Sequence, residues 1–353
     1  MSKKTRYFLA GSAAILLAGV FTGLVAYYAG GFQPVAASAV ASELRYVPAT
    51  ASLVAFADVK SIMNSELRLR LKQAEPGQQQ GQKEFYEHTG IDIEQDIDYV
   101  VAALTPGTGE HGAPLVVARG RFNDTKLEGL IREHGGEVEE YKGKRLVVAK
   151  HRVEAADPDH VGIQSGTLVL AFLEPGMLAI GELGAVKGAI DAASTSQSVT
   201  GNNEMMELVG EIGRSNNAWA VGRFEAIAQQ VNLHKNLPPQ ASSQLNLVKW
   251  FAAAGHINGG VSGSLRAEAR DDQAGQELRK GIDGLMALAR LAGGSDPKAA
   301  AVLNSLQLSG SGKSIVLSFT VPAELIDMAL PPRQPQAPVP QPPTPPSPPA
   351  PQG

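Results

Sequence analysis

The densest group of side chains that could do chemistry is a set of four acidic residues in one short stretch. Asp92, Glu94, Asp96 and Asp98 alternate with isoleucine and glutamine. Alternating carboxylates can ligate Ca²⁺, but an EF-hand-type loop also needs a glycine at its sharp turn and a distal bidentate glutamate. Acids are favoured near the start of a helix, and Gln95 follows Asp92 at the spacing of a capping box. The pattern predicts a helix start, with a weak cation site on the four carboxylates as the alternative.

The letters of two phosphate-binding motifs also occur. Residues 107–112 read GTGEHG and match GxGxxG, but a dinucleotide site needs the last glycine to open a helix. Here Pro114 and a strand pattern follow instead. The sequence at 312–314 resembles the end of a P-loop, whose lysine must begin a helix, whereas SIVLSFTV alternates as a strand does. Both segments are predicted to be loops beside strands, and no cofactor-binding residue is predicted.

Nucleophiles and metal ligands lack their usual partners. Ser295 and Lys298 have the spacing of a Ser/Lys pair, but the aspartate and proline between them are typical of a helix start. The seven histidines show no HxxxH or HExxH spacing, and Asp157, Asp159 and His160 are best explained as a polar loop. The chain has no cysteine, which excludes thiolate chemistry and disulfides. No catalytic residue is predicted, although a triad assembled from distant residues stays open.

The charge balance excludes one class of partner. The formal net charge is −4, and four of the positive residues (Lys3, Lys4, Arg6 and Arg333) lie near the two ends of the chain. The central part is therefore more acidic than the whole. A nucleic-acid-binding protein needs a dense basic face to displace counterions, so nucleic acid is not a predicted partner.

An apolar segment near the N-terminus has the length of a membrane span. The run from Phe8 to Tyr28 would form a helix of about 31 Å, which matches a hydrocarbon core of about 30 Å. Basic residues precede the run, and short basic flanks stay in the cytoplasm. The rest of the chain is predicted to be exported across a bacterial inner membrane. The predicted anchor residues are Phe8, Leu16, Leu17, Gly19, Gly23, Tyr27 and Tyr28.

A cleaved signal peptide is the alternative to an anchor. Residues 37–39 and 39–41 both fit the small-x-small pattern of signal peptidase sites. The apolar run is longer than the usual signal core of about 7–15 residues, which favours the anchor. Gly19 and Gly23 form a GxxxG pair that would let two anchors pack closely, but glycine is also common in such helices.

Strand and helix patterns alternate through the rest of the chain, and their short turns favour an α+β fold with mainly antiparallel sheets. Strands are predicted at 52–59, 115–122, 145–150, 168–173, 177–180, 218–224, 263–270, 306–309 and 314–321. Helices are predicted from residue 61 and at 125–134, 183–193, 205–212, 225–231 and 272–292. The passages 115–136 and 263–284 share a strand–turn–helix pattern, which suggests a duplicated unit.

The resulting organisation has six parts. They are a cytoplasmic stub (1–7), a transmembrane helix or uncleaved signal (8–32), a linker (33–45), two exported α+β units (46–200 and 201–330) and a proline-rich tail (331–353). The tail cannot form helix or sheet interiors, and as polyproline II it would reach about 70 Å. It would be a spacer through an envelope layer, a ligand for an aromatic groove, or a solvated tail without a partner.

The residues YVPA at 46–49, followed by SLVAFADV, resemble the start of a group of uncharacterised bacterial membrane-anchored proteins. That group has "Pro-Ala-Asp" before a strand and helix, and Thr50 replaces the aspartate here. The stretches 90–104 and 306–327 resemble it too. The resemblance implies an exported α+β domain and transfers no active-site residue.

These observations predict a membrane-anchored, non-enzymatic binding or scaffolding protein of the cell envelope, with an envelope protein or lipid as partner. A periplasmic carrier of a lipid or another apolar ligand is the first alternative, and a hydrolase with dispersed catalytic residues is the second. The carrier predicts a sizeable apolar pocket, and the hydrolase predicts a cleft with converging carboxylates or a Ser/His pair.

Overall fold

One antiparallel sheet of twelve strands organises the computed structural model of this protein. The strand order is β11-β12-β10-β9-β8-β1-β2-β3-β7-β6-β5-β4, and every pair between neighbours in this order is antiparallel. The predicted α+β fold with antiparallel pairing is therefore confirmed. The structure describes residues 42–74, 83, 86–87, 89–105, 112–133, 135–149, 168–212, 216–225, 247–293, 300, 303–321 and 323.

The strands are β1 (Leu53–Asp58), β2 (Ile97–Thr105), β3 (Ala113–Gly120), β4 (Glu137–Tyr141), β5 (Lys144–Ala149), β6 (Leu168–Glu174), β7 (Met177–Glu182), β8 (Ala218–Arg223), β9 (Val248–Ile257), β10 (Val261–Ala269), β11 (Gln307–Ser309) and β12 (Ser314–Val321). The helices are α1 (Val59–Met63), α2 (Glu66–Ala74), α3 (Ile93–Asp96), α4 (Asp124–Glu133), α5 (Leu183–Thr195), α6 (Asn203–Ile212) and α7 (Asp272–Gly293). A short 3-10 helix covers Val199–Gly201.

The central strand is β1, which pairs with β2 on one side and β8 on the other. All six of its residues are buried. Its valine, phenylalanine and alanine side chains suit a strand that is covered on both faces, because small and β-branched residues pack closely on a pleated surface. Both predicted exported units contribute strands to this one sheet, since β1 and β8 belong to different units.

The two passages that share a sequence pattern occupy equivalent places on the two sides of this centre. On one side, β2 and β3 follow β1, and α4 comes after β3; on the other, β9 and β10 follow β8, and α7 comes after β10. In each case a later hairpin returns to pair with the third strand, through β7 or through β12. The connectivity is that expected of a duplicated unit, with one additional hairpin on the first side.

Helices cover both faces of the sheet. Face A, which carries Val54 and Phe56 of β1, packs against α5, α6 and the segment that precedes β1. Face B, which carries the alternate residues, packs against α1 and α2 near its centre, α4 toward β4 and α7 toward β11. Burial of apolar area on both faces supplies the main stabilisation.

The two ends of the sheet differ in what enters and leaves there. At the entry end, Asp58 of β1 lies opposite Tyr99 of β2, and Tyr99 lies opposite Arg119 of β3. Residues 42–46, where the described chain begins, contact this end through Arg119 and Glu174. The far end carries the start of β1 and the turn between β11 and β12.

Two local expectations need correction. The helix predicted from residue 61 is two helices, because Asp58 caps α1 and Asn64 ends it, and Leu69 on α2 is 54% exposed. In the helix predicted at 272–292, helical spacing places Leu285 on the same apolar face as Leu278, but in α7 Leu285 is 62% exposed and Met286 is buried in its place. Among the described side chains of this helix, the buried apolar ones, Ala274, Leu278 and Met286, repeat at helical spacing.

Candidate functional site

A polar cluster lies on face A at the entry end of the sheet, beside the apolar core of that face. Asp58, Tyr99 and Arg119 sit side by side on β1, β2 and β3, and Glu43 reaches them from the preceding segment. We call these four residues the polar cluster. Glu43 is 0% exposed and Asp58 is 3% exposed. Burial of two carboxylates is costly unless each is paired or neutralised, so the cluster is the part of the fold whose chemistry needs explanation.

Glu43 is compensated by an ion pair. The Nε atom of Arg119 donates to Oε1 of Glu43, and the hydroxyl of Ser42 donates to Oε2 at 2.7 Å. The guanidinium also donates to the Ser42 hydroxyl, at 3.3 Å. A charge-assisted bond to a fully buried carboxylate fixes both partners in direction and distance. Residues 42 and 43 are therefore held against β3, which lies two strands from the central strand β1.

The buried carboxylate of Asp58 is compensated less strongly than that of Glu43. One of its carboxylate oxygens accepts the backbone N–H of Ser61 at 2.8 Å, which caps α1. Burial raises the pKa of Asp58 to about 6; the cap opposes that shift, the carboxylate of Asp98 adds to it, and the ammonium of Lys60 opposes it. The carboxyl group therefore takes up a proton close to neutral pH.

Tyr99 separates the two carboxylates and closes the cluster toward the core. Its ring stacks on Phe56 with centroids 6.0 Å apart, and Phe56 stacks on Trp219 at 5.7 Å. Burial raises the pKa of the Tyr99 phenol, and the negative charge of Asp58 raises it further. The phenol therefore stays protonated and supplies a neutral polar group beside the charged ones.

The residues that follow Glu43 continue the attachment. The Tyr46 hydroxyl donates to Glu174 at 3.1 Å, and Arg45 forms an ion pair with the same carboxylate. Further along, the backbone N–H of Val199 donates to the carbonyl of Val47 at 2.8 Å. We call residues 42–49 the entry segment. It is bonded to β3, to the end of β6 and to the connection between the two sides of the sheet.

The four acidic residues that the sequence singled out are placed near this end, but each contacts a different partner. Asp92 caps α3 by accepting the N–H groups of Glu94 at 2.9 Å and Gln95 at 3.3 Å. The predicted helix start is therefore present. It lasts a single turn, because β2 begins at Ile97 and places Asp98 on a strand.

The other three acids form separate ion pairs. Glu94 pairs with Arg68 at 2.7 Å. Asp96 pairs with Arg121 and Asp98 pairs with Lys60, each at 3.3 Å. Across the described ranges, no group of three or more His, Asp or Glu side chains is arranged to hold a metal ion.

Both phosphate-like segments stand beside strands, as predicted. Thr105 pairs with Ala113 across the GTGEHG segment, and β3 rather than a helix follows it; residues 107–111 themselves lie outside the described part of the chain. Lys313 ends a tight turn that contains Gly310 and Gly312, both with positive φ, and Ser314 begins β12. The described glycines of the two segments, Gly112, Gly310 and Gly312, precede strands and not the N-terminus of a helix, which phosphate binding requires.

Several predicted features fall outside the described residues. They are the anchor residues Phe8, Leu16, Leu17, Gly19, Gly23, Tyr27 and Tyr28, the pair Ser295 and Lys298, the loop residues Asp157, Asp159 and His160, all but the first residue of the helix at 225–231, and the tail 331–353. Within the described residues, no helix combines the length and the apolar character needed to cross a membrane.

Comparison with known proteins gives little. No model of a known protein family matches the chain, and no curated protein matches it either. Among solved structures, crystal form I of TP0453 aligns with 81% of this chain and 97% of its own, with 10% identity and a TM-score of 0.43. We draw nothing about function from a likeness at that level.

Proposed function

We propose that this chain is a membrane-anchored binding or scaffolding protein whose folded domain lies outside the cytoplasm. The observation that carries the proposal is the attachment of the entry segment: Glu43, which lies near the end of the predicted linker 33–45, is fully buried and paired with Arg119. A protein held by an N-terminal anchor transmits its position to the domain through this segment. A buried ion pair is a specific way to fix that connection.

The short linker keeps the attached domain close to the proposed anchor. Residues 33–41 span at most about 30 Å when fully extended, at ~3.3–3.6 Å per residue. Within that reach the domain stands beside the bilayer. The bonds of the entry segment to β3 and to the connection near Val199 hold this segment against the folded domain. A domain presented close to the membrane suits a scaffold or a receptor for a neighbour.

The polar cluster supports a structural role over a hydrolytic one. Glu43 is neutralised by Arg119, and Asp58 is occupied as the cap of α1. A hydrolase needs a nucleophile or an activated water within reach of its base. The hydrolase alternative therefore gains no support from these carboxylates, and the proposal assigns them to holding the entry segment and the start of α1.

Topology is tested first, with the full-length protein in living bacteria. Because the chain has no cysteine, single cysteines can be placed at Ser2 and at Ser311. A maleimide that does not cross the inner membrane should label the Ser311→Cys variant and spare the Ser2→Cys variant. Labelling of both, or of neither until the cells are lysed, would overturn the anchored topology.

Mass spectrometry of the membrane-extracted protein separates the remaining alternatives. An intact N-terminus is expected, whereas a start near residue 40 would show a cleaved, secreted protein. The binding role predicts that crosslinking in the envelope joins the domain to a defined protein neighbour. A bound mass of lipid size would favour the carrier instead, and failure to retain any envelope component would count against binding.

A further inference from the structure

A second row of polar side chains crosses face A at the far end of the sheet. Arg223 ends β8 and lies opposite Trp250 of β9, and Trp250 lies opposite Glu268 of β10. These residues take the places on the second side that the strand residues of the polar cluster take on the first. An aromatic ring is central in both rows, and the charges on its two sides are exchanged. Glu268 is paired with Arg266 at 2.8 Å, so its charge is compensated within β10.

Each row is closed by a carboxylate from a segment on face A, and the two carboxylates differ in burial. In the polar cluster it is Glu43, which is fully buried. In the second row it is Glu204, from the first turn of α6, which pairs with Lys249 at 2.8 Å; their side chains are 58% and 53% exposed. Glu204 can therefore turn out into water while the fold is kept. We call Arg223, Lys249, Trp250 and Glu204 the far-end cluster.

A β-bulge brings the lysine into this cluster. The register between β9 and β10 shifts at Glu268 and Ala269, and Lys249 is the extra residue on β9. Neighbouring residues of a regular strand point to opposite faces. Here Lys249 reaches α6 on face A, while Trp250 packs in the core of the same face. Bulges re-aim side chains in this way, and they are frequent beside functional sites.

Two donors of the far-end cluster are left without an acceptor by Glu204. The guanidinium of Arg223 lies over the ring of Trp250, with Cζ 5.5 Å from the ring centroid, and within the described residues it makes no hydrogen bond or ion pair. Trp250 is 4% exposed, and its buried Nε1 has no hydrogen-bond partner in the described part of the chain. A buried N–H without an acceptor is unfavourable, so an acceptor that reached this donor would be bound.

The surroundings of Glu204 show that this place favours an anion. Its pKa is lowered, chiefly by the hydrogen bond from Lys249, and burial opposes the shift. The charge of Arg223 also lowers this pKa, as does the indole N–H of Trp250, which faces the carboxylate without completing a hydrogen bond. The positive end of the α6 dipole acts in the same direction. An ammonium, a guanidinium and an indole N–H thus converge on one carboxylate.

We propose that the far-end cluster binds the carboxylate of a ligand in the place that Glu204 now occupies. A carboxylate that is not tied to α6 can accept the N–H of Trp250 and two parallel bonds from Arg223, both of which Glu204 leaves unused. Its source is a small carboxylic acid or the C-terminus of a peptide chain. The inference goes beyond the proposed function and does not depend on the anchor.

Fluorine NMR of the two tryptophans tests the binding. Full-length protein in detergent micelles, labelled with 5-fluorotryptophan, gives one signal for Trp250 and one for Trp219, which the variant Trp219→Phe assigns. Glutarate or acetyl-dialanine, which ends in a free carboxylate, should shift the Trp250 signal saturably and leave the Trp219 signal in place. Saturation by acetyl-dialanine alone assigns the site to a chain terminus, and saturation by glutarate alone assigns it to a small acid. An equal shift with the C-terminal amide of the peptide or with sodium phosphate, or no saturable shift with either carboxylate, would overturn the proposal.

Matched variants separate this site from a general effect of charge. Arg223→Gln should weaken binding by about tenfold or more, whereas Arg290→Gln removes the same charge from an exposed position on α7 and should leave binding unchanged. Glu204→Gln removes the competing carboxylate and should strengthen binding severalfold. Arg223 and Glu204 are exposed, so both variants should keep the Trp219 signal of the natural protein. Unchanged binding by Arg223→Gln, or weaker binding by Glu204→Gln, would contradict the assignment.

Discussion

The buried carboxyl of Asp58 makes the stability of this domain depend on pH in a direction that is unusual for an aspartate. Its pKa in the folded state is about 6, against an ordinary 3.8, because burial disfavours the charged form. The folded protein therefore holds a proton that the unfolded chain releases between about pH 4 and pH 6. The contribution of Asp58 to the free energy of unfolding is fully present below pH 4, and it falls as pH rises through this window. The loss amounts to about 3 kcal/mol.

The substitution Asp58→Asn isolates this effect. Asparagine caps a helix about as well as aspartate, so the bond from the Ser61 N–H is retained while the charge is removed. The variant should be more stable than the natural protein at pH 7.5 by up to about 3 kcal/mol, and about equal to it at pH 4. The gain is less if Lys60 loses part of its favourable interaction.

Urea unfolding of residues 33–353 at several pH values measures the difference. Trp219 and Trp250, both 4% exposed, report unfolding by fluorescence. The control is Asp283→Asn, which removes the same charge from an exposed position on α7; its curve should run parallel to that of the natural protein. Parallel curves for Asp58→Asn between pH 4 and pH 7, or a loss of stability at pH 7.5, would refute the argument.

Three further predictions concern stability. Arg119→Gln leaves the buried carboxylate of Glu43 without its cation and should cost about 3–5 kcal/mol in urea unfolding. Glu43→Gln leaves an arginine that can reach water and should cost about 1–3 kcal/mol, so equal costs would contradict this asymmetry. On α7, Gly275→Ala places a methyl group 2.3 Å from a backbone oxygen of the β11–β12 turn and should lower the melting temperature. The matched variant Gly284→Ala has open space around its methyl group and should raise the free energy of unfolding by up to about 1 kcal/mol. Asp92→Ala removes the cap of α3 and should cost about 1 kcal/mol, with no response to Ca²⁺ in either protein; Ca²⁺-dependent stabilisation lost in the variant would revive the cation site.

The elements that sequence reasoning located correctly are those with a clear period or a clear stop signal. The strand at 168–173 follows from a continuous apolar run, the turn after it from Pro175-Gly176, where Gly176 adopts a positive φ, and the helix α5 from helical spacing. By contrast, β9 was not predicted. Its sequence VKWFAAAGHI holds three consecutive alanines and a glycine, which carry neither strand propensity nor alternation. Pairing on both sides, to β8 and β10, decides its conformation, and pairing is a tertiary effect.

The edge strand β4 escaped prediction for a different reason. Its sequence EVEEY has three glutamates and lies largely exposed beside β5. Charges on an edge strand discourage pairing with another chain. The same glutamates remove the apolar pattern by which a strand is predicted from sequence. The same acids limit association of two domains through this edge.

The polar cluster shows where sequence reasoning fails at the level of a site. Its members come from the entry segment and three strands, and no spacing in the chain connects them. The acids that do cluster in sequence, from Asp92 to Asp98, are dispersed by the fold among three separate cations. Density of charge along the chain therefore does not locate the buried carboxylates, because charges close in sequence are easily solvated or paired, whereas an isolated Asp58 at the end of an apolar strand has to be buried with it. In an acidic chain of this kind, the informative carboxylate is the one that ends a fully buried strand, and its raised pKa is the consequence that experiment can measure.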